Sequence, residues 1–329
     1  MSIPVWFVAL EPPSLYSSQP STTGNTARKC KLVYLNEGGA NFVFRILAEE
    51  NDELPRPLRR KLLRIPKNLS HVVSAEEQLQ ALDTNFTQLF PADNLIHHEL
   101  IKLDAGVPQA LNRMLVSLIR PNHRLDDLLP SQAMSGMLVT DMTPDVGEVL
   151  LQLKPKWLAQ SLNAPSEARR CRTCAVRAHR ASERIRTVTD AQESCPLELV
   201  SSDVAQRQNA VHAVTTDVLI REYLLIHAQP LLQQLRVCQL EFDRHGVLRT
   251  SGTDAVFSLC KAMTLRDCTL FVKRSGNSVE GRLGDLDLKH PEKFPRWKKV
   301  EANLIAGGWY TNTENRDHLA VERVCLLSR

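Results

Sequence analysis

The chain is poor in aromatic residues: Phe, Trp and Tyr make up 5% of its 329 residues, too few for a surface built to stack bases. Its charge is nearly balanced, 41 Lys and Arg against 37 Asp and Glu, for a net charge of +4. That excess is too small for a general nucleic-acid binder, so what matters is where the cations cluster. No apolar run approaches the roughly 20 residues needed to cross a bilayer. The opening "IPVWFVAL" has no basic region ahead of it and is short for a secretory signal core. No internal repeat, GxGxxG or Walker A loop is found. Eight cysteines at irregular spacings then imply a reducing, intracellular compartment, in which a CxxC binds metal or does redox chemistry rather than forming a structural disulfide.

With 43% hydrophobic and 24% charged residues, the chain has the balance of a soluble globular protein, long enough for one large domain or two lobes. Residues 11–27 are rich in Ser, Thr and Pro and are expected to be disordered. "KLVYLNEGGANFVFRIL" reads as strand, glycine turn, strand, and "RRKLLRIPK" as a basic third strand stopped by Pro66. Apolar spacing of three and four predicts helix through 75–120. "GMLVTDM" and "EVLLQLKPKW" read as strands and 161–195 as a polar, arginine-rich segment. Helices are predicted over 203–236, a hairpin in "CQLEFDRHGVLRTSG", then a helix running into a strand through "DAVFSLCKAMTLRDCTLFVKR" and a partner strand in "EGRLGDLDL".

Several motifs carry chemistry, each beside a plainer alternative. The adjacent glycines of "NEGGANFVF" would let backbone N–H groups approach phosphate, or simply make a β-turn. Lys154 and Lys156 share a face if their segment is a strand, so an anion belongs between them unless they sit at a solvated end. Asp267 precedes an apolar strand, and Asp285 and Asp287 alternate along another, as carboxylates for phosphoryl transfer would be placed and as turn or capping aspartates also are. "DLKHPEKFPRWKK" could be a phosphate-binding face or a solvated basic one. Cys171, Cys174, His179 and Cys195 fit a CxxC with two further zinc ligands. Cys30, Cys238, Cys260, Cys268 and Cys325 read as core residues.

Taken in order, "EGGANFVFRI", "LLRIPK", "RPNHR", "LKPKW", "CRTC", "CPLEL", "RDCTLFV" and "DLDLK" resemble the inositol-pentakisphosphate 2-kinases, the fungal members above all, over roughly residues 31–310. The resemblance implies an α+β, two-lobed protein-kinase-like fold with a smaller β-rich N-terminal lobe and an enlarged C-terminal lobe. The lobes would span 28–142 and 143–329 behind a disordered tail, 1–27. It implies transfer of the ATP γ-phosphate to the 2-hydroxyl of inositol 1,3,4,5,6-pentakisphosphate, giving the hexakisphosphate and ADP.

By motif, ATP would meet Glu37, Gly38, Gly39, Ala40, Asn41 and Arg64, with Thr140, Asp141 and Met142 at the adenine. Asp267 would be the catalytic carboxylate, aided by Lys154 and Lys156, and Asp285 the Mg²⁺ ligand. The inositide's phosphates would fall to Arg124, Lys154, Lys156, Arg180, Lys289 and Lys293, with Trp297 near the ring. Zn²⁺ on Cys171, Cys174, His179 and Cys195 would hold the loop from which Arg180 reaches the anion, leaving Arg169, Arg170 and Arg177 solvated. The sequence departs from the family at Gln152, where relatives carry an acid, and at Lys293 and Trp297, where many have Arg and Tyr.

The implied protein is a monomer of the nucleus or cytoplasm with no nucleic-acid or membrane partner. The alternative is a zinc-containing nucleic-acid-binding protein built around "CRTCAVRAHR", which would need a regular second ligand pair and interleaved aromatics.

Overall fold

The computed structural model describes residues 3–8, 28–48, 53–133, 135–183, 194–311 and 325–328. The chain is α+β, with two antiparallel sheets, and divides into two compact units. The first comprises residues 1–84 and 96–142, and the second residues 85–95 and 143–329. The sequence placed 85–95 with the N-terminal half.

In the first unit, β1 (Ile3–Val8), β2 (Arg28–Glu37), β3 (Asn41–Ala48), β4 (Lys61–Pro66), β5 (His98–Leu103) and β6 (Ser135–Thr140) close into a barrel in the order β1-β2-β3-β4-β6-β5. The tail expected to be disordered therefore contributes a strand at 3–8, while 9–27 lie outside the described residues. Alternation sets the barrel's inner face: Phe42, Phe44 and Ile46 of β3 and Leu63 and Ile65 of β4 are buried. A bulge between Tyr34 and Asn36 shifts the β2–β3 register just before the glycine turn.

The helical stretch read over 75–120 is α1 (Ala75–Asn85) and α2 (Val107–Ser117), with β5 between them. β5 escapes sequence reading because "HELIKL" alternates over only a few residues, too short a window to stand out from a 3.6 period. α2 carries Pro108 in its first turn, where no N–H is missed, and Val107, Leu111, Met114 and Leu115 fall on its buried stripe.

In the second unit β7 (Val149–Leu153), β8 (Thr269–Ser275) and β9 (Ser278–Gly284) form a sheet in that order. Its helices are α3 (Arg172–Glu183), α4 (Pro196–Leu199), α5 (Val204–Val214), α6 (Val218–Leu225), α7 (Gln229–Glu241), α8 (Thr253–Leu265) and α9 (Phe294–Ala306). Asp203 and Asp217 cap α5 and α6, accepting from Ala205 N and Ile220 N. Gly276, at φ +60, takes the first central position of the β8–β9 turn, where a II′ hairpin favours glycine.

The expected hairpin over 238–252 is not formed. Residues up to Glu241 complete α7, whose Leu231, Leu232, Leu235 and Cys238 are buried at helical spacing, and a turn at Gly246 (φ +78) follows. No helix among the described residues is long and apolar enough to cross a membrane.

Candidate active site

The sheet of the second unit fixes where the acids and lysines meet. Leu153 pairs with Leu270, and Thr269 with Gly284, so the end of β7, the start of β8 and the end of β9 lie side by side. The residues just beyond those ends are Lys154 and Lys156, Asp267, and Asp285. The two lysines thus lie past the strand rather than on it, yet they converge on one carboxylate.

Lys156 Nζ donates to Asp267 Oδ1 at 3.1 Å. Lys154 Nζ donates to the Asp267 carbonyl at 2.9 Å and stands 3.8 Å from its Oδ1 and 3.7 Å from Asp285 Oδ2. Lys289 Nζ donates to the other oxygen, Asp267 Oδ2, at 2.8 Å. Three ammonium groups therefore face two carboxylates, leaving a surplus of positive charge suited to an anion. Thr269, which the sequence did not single out, donates its hydroxyl to Asp285 Oδ2.

The backbone is strained here. Lys156 (φ 58) and Asp285 (φ 57) are two of the three non-glycine residues in the left-handed region among those described. Such positions cost on the order of 1–3 kcal/mol each and persist where the surroundings over-determine them, most often at functional sites. Thr264, fully buried at the end of α8, ties two of the segments. Its carbonyl accepts from Asp267 N at 2.9 Å and its hydroxyl from Lys289 N at 3.0 Å.

Partial burial raises the Asp267 pKa, but the charges of Lys289, Lys154 and Lys156 outweigh it and bring the group down to about 2. A carboxyl whose pKa falls on folding stabilises the protein fully above its unfolded value near 3.9, and loses that contribution as pH falls toward 2. Asp267 is 45% exposed, so solvent screening limits the effect to about 1 kcal/mol or less. We expect urea midpoints of the wild type and Asp267→Asn to converge as pH drops from about 5 toward 2. Parallel curves would show that the lysines do not hold this carboxylate.

Burial and then the neighbouring charges of Lys289 and Arg296 push the Lys293 pKa down, the mark of crowded cations that an anion would relieve. Trp297 packs beside Phe294 against Trp157 and Leu259. Arg180 is exposed near the end of α3. Arg124 lies in the first unit, where its guanidinium donates to the Glu37 carbonyl at 2.5 Å.

The residues expected at ATP also lie in the first unit. Gly38 N donates to Asn41 O at 2.8 Å, closing a tight turn. Neither Gly38 nor Gly39 has positive φ. A Cβ at Gly39 would meet nothing within 4 Å, and one at Gly38 only Asn41 O at 4.0 Å. Nothing among the described residues requires glycine at these positions, whereas close approach by a ligand would.

Glu37 needs correcting as a ligand residue. The residue is 5% exposed, and its carboxylate accepts from Lys67 at 2.5 Å and Arg120 at 3.2 Å. It roots the turn because buried cations hold it. With its amide oxygen facing Arg64, Asn41 accepts from Arg64 Nη2 at 2.6 Å. Thr140 N and Asp141 N donate to His97 O and Arg60 O at 3.1 and 2.8 Å, and Met142 is buried.

A separate cluster in the second unit joins Cys171, Cys174, Cys195 and Cys325, whose sulfurs all lie within 4.8 Å of one another. Cys171 Sγ and Cys325 Sγ are each 3.7 Å from Cys195 Sγ. Four sulfurs at about 2.3 Å from a tetrahedral zinc would be about 3.8 Å apart, so the donor set fits. Hydrogen bonds from Cys171 and Cys174 draw the Cys195 thiol down to about 7. Amides reinforce the sulfurs, Cys171 N donating to Cys325 Sγ at 3.1 Å.

His179 is not in this group, and Cys325, read as a core residue, takes its place. On α3, five residues separate His179 from Cys174, which turns it about 140° round the helix. Its ring instead lies edge-on to Trp309, with centroids 5.1 Å apart. Arg170 and Arg177, expected to be solvated, donate to Trp309 O and Ser194 O. Arg172 pairs with buried Glu301 at 2.7 Å, which also accepts from Ser161 and Tyr310.

A family model described as inositol-pentakisphosphate 2-kinase matches residues 34–234 and 216–303, two overlapping stretches that cover most of the chain. A Yarrowia lipolytica protein named inositol-pentakisphosphate 2-kinase is 29% identical over 296 residues, covering 85% of this chain and 92% of that one. Both matches are to kinases, so the nucleic-acid-binding alternative finds no support in them.

Proposed function

Since the chain belongs to the inositol-pentakisphosphate 2-kinase family, and is therefore an ATP-dependent transferase acting on an inositol phosphate, we propose that Asp267 and its lysines carry out the transfer. The observation that carries this is the convergence of Lys154, Lys156 and Lys289 on Asp267 at 3.8, 3.1 and 2.8 Å. The acceptor 2-hydroxyl of inositol 1,3,4,5,6-pentakisphosphate donates to the Asp267 carboxylate, which orients its oxygen toward the γ-phosphorus of ATP. The O–P bond to the acceptor forms as the bond from Pγ to the β,γ-bridging oxygen breaks, ADP leaves, and the hydroxyl proton passes to the carboxylate.

A carboxyl with a pKa near 2 is a weak base. That suffices for a loose phosphoryl transition state, in which the hydroxyl proton departs late. Lys154 and Lys156 oppose the charge on the moving phosphoryl group, an electrostatic role that preorganised cations fill without reorganisation. Lys289, Lys293, Arg124 and Arg180 are assigned to the acceptor's phosphates and Trp297 to its ring. Five phosphates carry close to ten negative charges, which explains clustered cations in a chain of net charge +4.

The glycine turn, Asn41 and Arg64 are assigned to ATP, and residues 140–142 to its base. The barrel-bearing first unit and the helix-rich second unit suit the lobes of a kinase-like fold. Asp285, a half-exposed carboxylate oriented by Thr269, suits a hard cation that takes one or two carboxylates. Mg²⁺ there would neutralise phosphate charge. The cysteine cluster is assigned a structural Zn²⁺ that pins the polar α3 segment.

Incubating the protein with Mg-ATP and a panel of inositol phosphates tests the assignment. The pentakisphosphate with a free 2-hydroxyl should gain one phosphate, and a preference for a lower phosphate or another position would refute it.

A further inference from the structure

Gln239 lies on α7, is 1% exposed, and belongs to no motif that the transfer chemistry uses. Its side chain nevertheless reaches both catalytic segments. One Nε2 hydrogen goes to Lys156 O at 2.8 Å and the other to Leu265 O at 3.2 Å, while Oε1 accepts from Leu158 N at 3.0 Å. The amide pairs with the residues on either side of Trp157 as a neighbouring strand would, and its spare donor holds the end of α8, two residues before Asp267. All of its hydrogen-bonding capacity at Nε2 is used.

The carbonyl it holds belongs to Lys156, whose left-handed backbone is unfavourable without restraint. Arg266, adjacent to Asp267, completes the brace. It stacks on Trp157 at 3.5 Å, pairs with Asp243 at 2.8 Å, and donates to the Gln239 carbonyl at 3.4 Å.

We propose that Gln239 is a positioning residue for phosphoryl transfer: it fixes the left-handed Lys156 peptide against the end of α8 so that the Lys156 ammonium meets Asp267. This rests on Lys156 and Asp267 being the transfer machinery. Only glutamine offers two donors and an acceptor at this reach. Glutamate loses both donors, asparagine is one methylene short, and methionine keeps the volume without the amide.

The test is steady-state kinetics on Gln239→Met and Gln239→Glu, with folding followed by far-UV circular dichroism and thermal melts. Each should lower kcat about tenfold or more while KM for ATP and for the inositol pentakisphosphate changes less than about threefold, because a displaced Lys156 matters most in the transition state. In a Lys156→Ala background, Gln239→Met should cost only about threefold or less, since its main route of action is already gone.

Unchanged kcat, an equal loss in both backgrounds, or a loss matching the unfolded fraction would each overturn the proposal. Lys156→Ala and Asp267→Asn are measured alongside. If these retain wild-type turnover, the active-site assignment fails and takes the proposal with it. If they lose turnover and the Gln239 variants do not, the positioning role alone is wrong.

Discussion

Asp267→Asn should lower turnover by about 10³-fold while leaving inositol pentakisphosphate bound at least as tightly as in the wild type. The magnitude is that of removing a positioned general base, about 10²- to 10⁴-fold. The direction of the binding effect follows from charge. Asp267 engages Lys156 and Lys289 at 3.1 and 2.8 Å, so its neutralisation frees two ammonium groups for phosphate. A residue that served only to bind the inositide would show the opposite pattern, with KM raised and kcat kept. Isothermal titration of the variant with the inositide, beside its turnover, separates these outcomes. Unimpaired turnover in Asp267→Asn would sink the assignment.

Cys325→Ser should abolish zinc binding at the proposed cysteine site and lower the melting temperature by about 10 °C or more, whereas His179→Ala should keep one equivalent of zinc. Metal sites of this kind supply folding free energy directly. A loss of several kcal/mol translates into such a shift for a unit of this size. The contrast between the two variants follows from geometry. Cys325 is buried among the other three sulfurs, while the His179 ring lies against Trp309.

Chelation should then loosen inositide binding more than ATP binding. The sulfurs hold the start of α3, which carries Arg180, and the residues assigned to ATP belong to the other unit. Elemental analysis of the purified protein and its variants reads the first effect, and paired titrations of chelated protein read the second. Full metal content in Cys325→Ser would contradict the ligand set.

The sequence was most legible where chemistry and periodicity coincide. The glycine turn between β2 and β3, the basic strand β4, and the aspartates at the ends of β8 and β9 all stood out. In each, a short apolar strand is bordered by a residue type that has no business in a core. Legibility failed where a contact joins distant segments. Cys325 lies 130 residues after Cys195, with no spacing to announce it. Gln239 sits within an ordinary amphipathic helix, and only the fold turns its amide toward Lys156.

Glu37 misled for the same reason. An acid before two glycines reads as part of a phosphate loop, until Lys67 and Arg120 close over it from 30 and 83 residues away. The hairpin expected over 238–252 failed differently. Turn residues at Gly246 were real, but the apolar residues before them continue the 3.6 period of α7 and do not start a strand.

The most direct measurement is a single-turnover reaction of wild-type protein with Mg-ATP labelled at the γ-phosphate and inositol 1,3,4,5,6-pentakisphosphate. It is quenched over time and the label located. In-line transfer at Asp267 predicts that label passes from ATP to the 2-position as a monoester, in step with ADP formation and with none on the protein. Label in a phosphoenzyme, in a pyrophosphate, or remaining in ATP would contradict it.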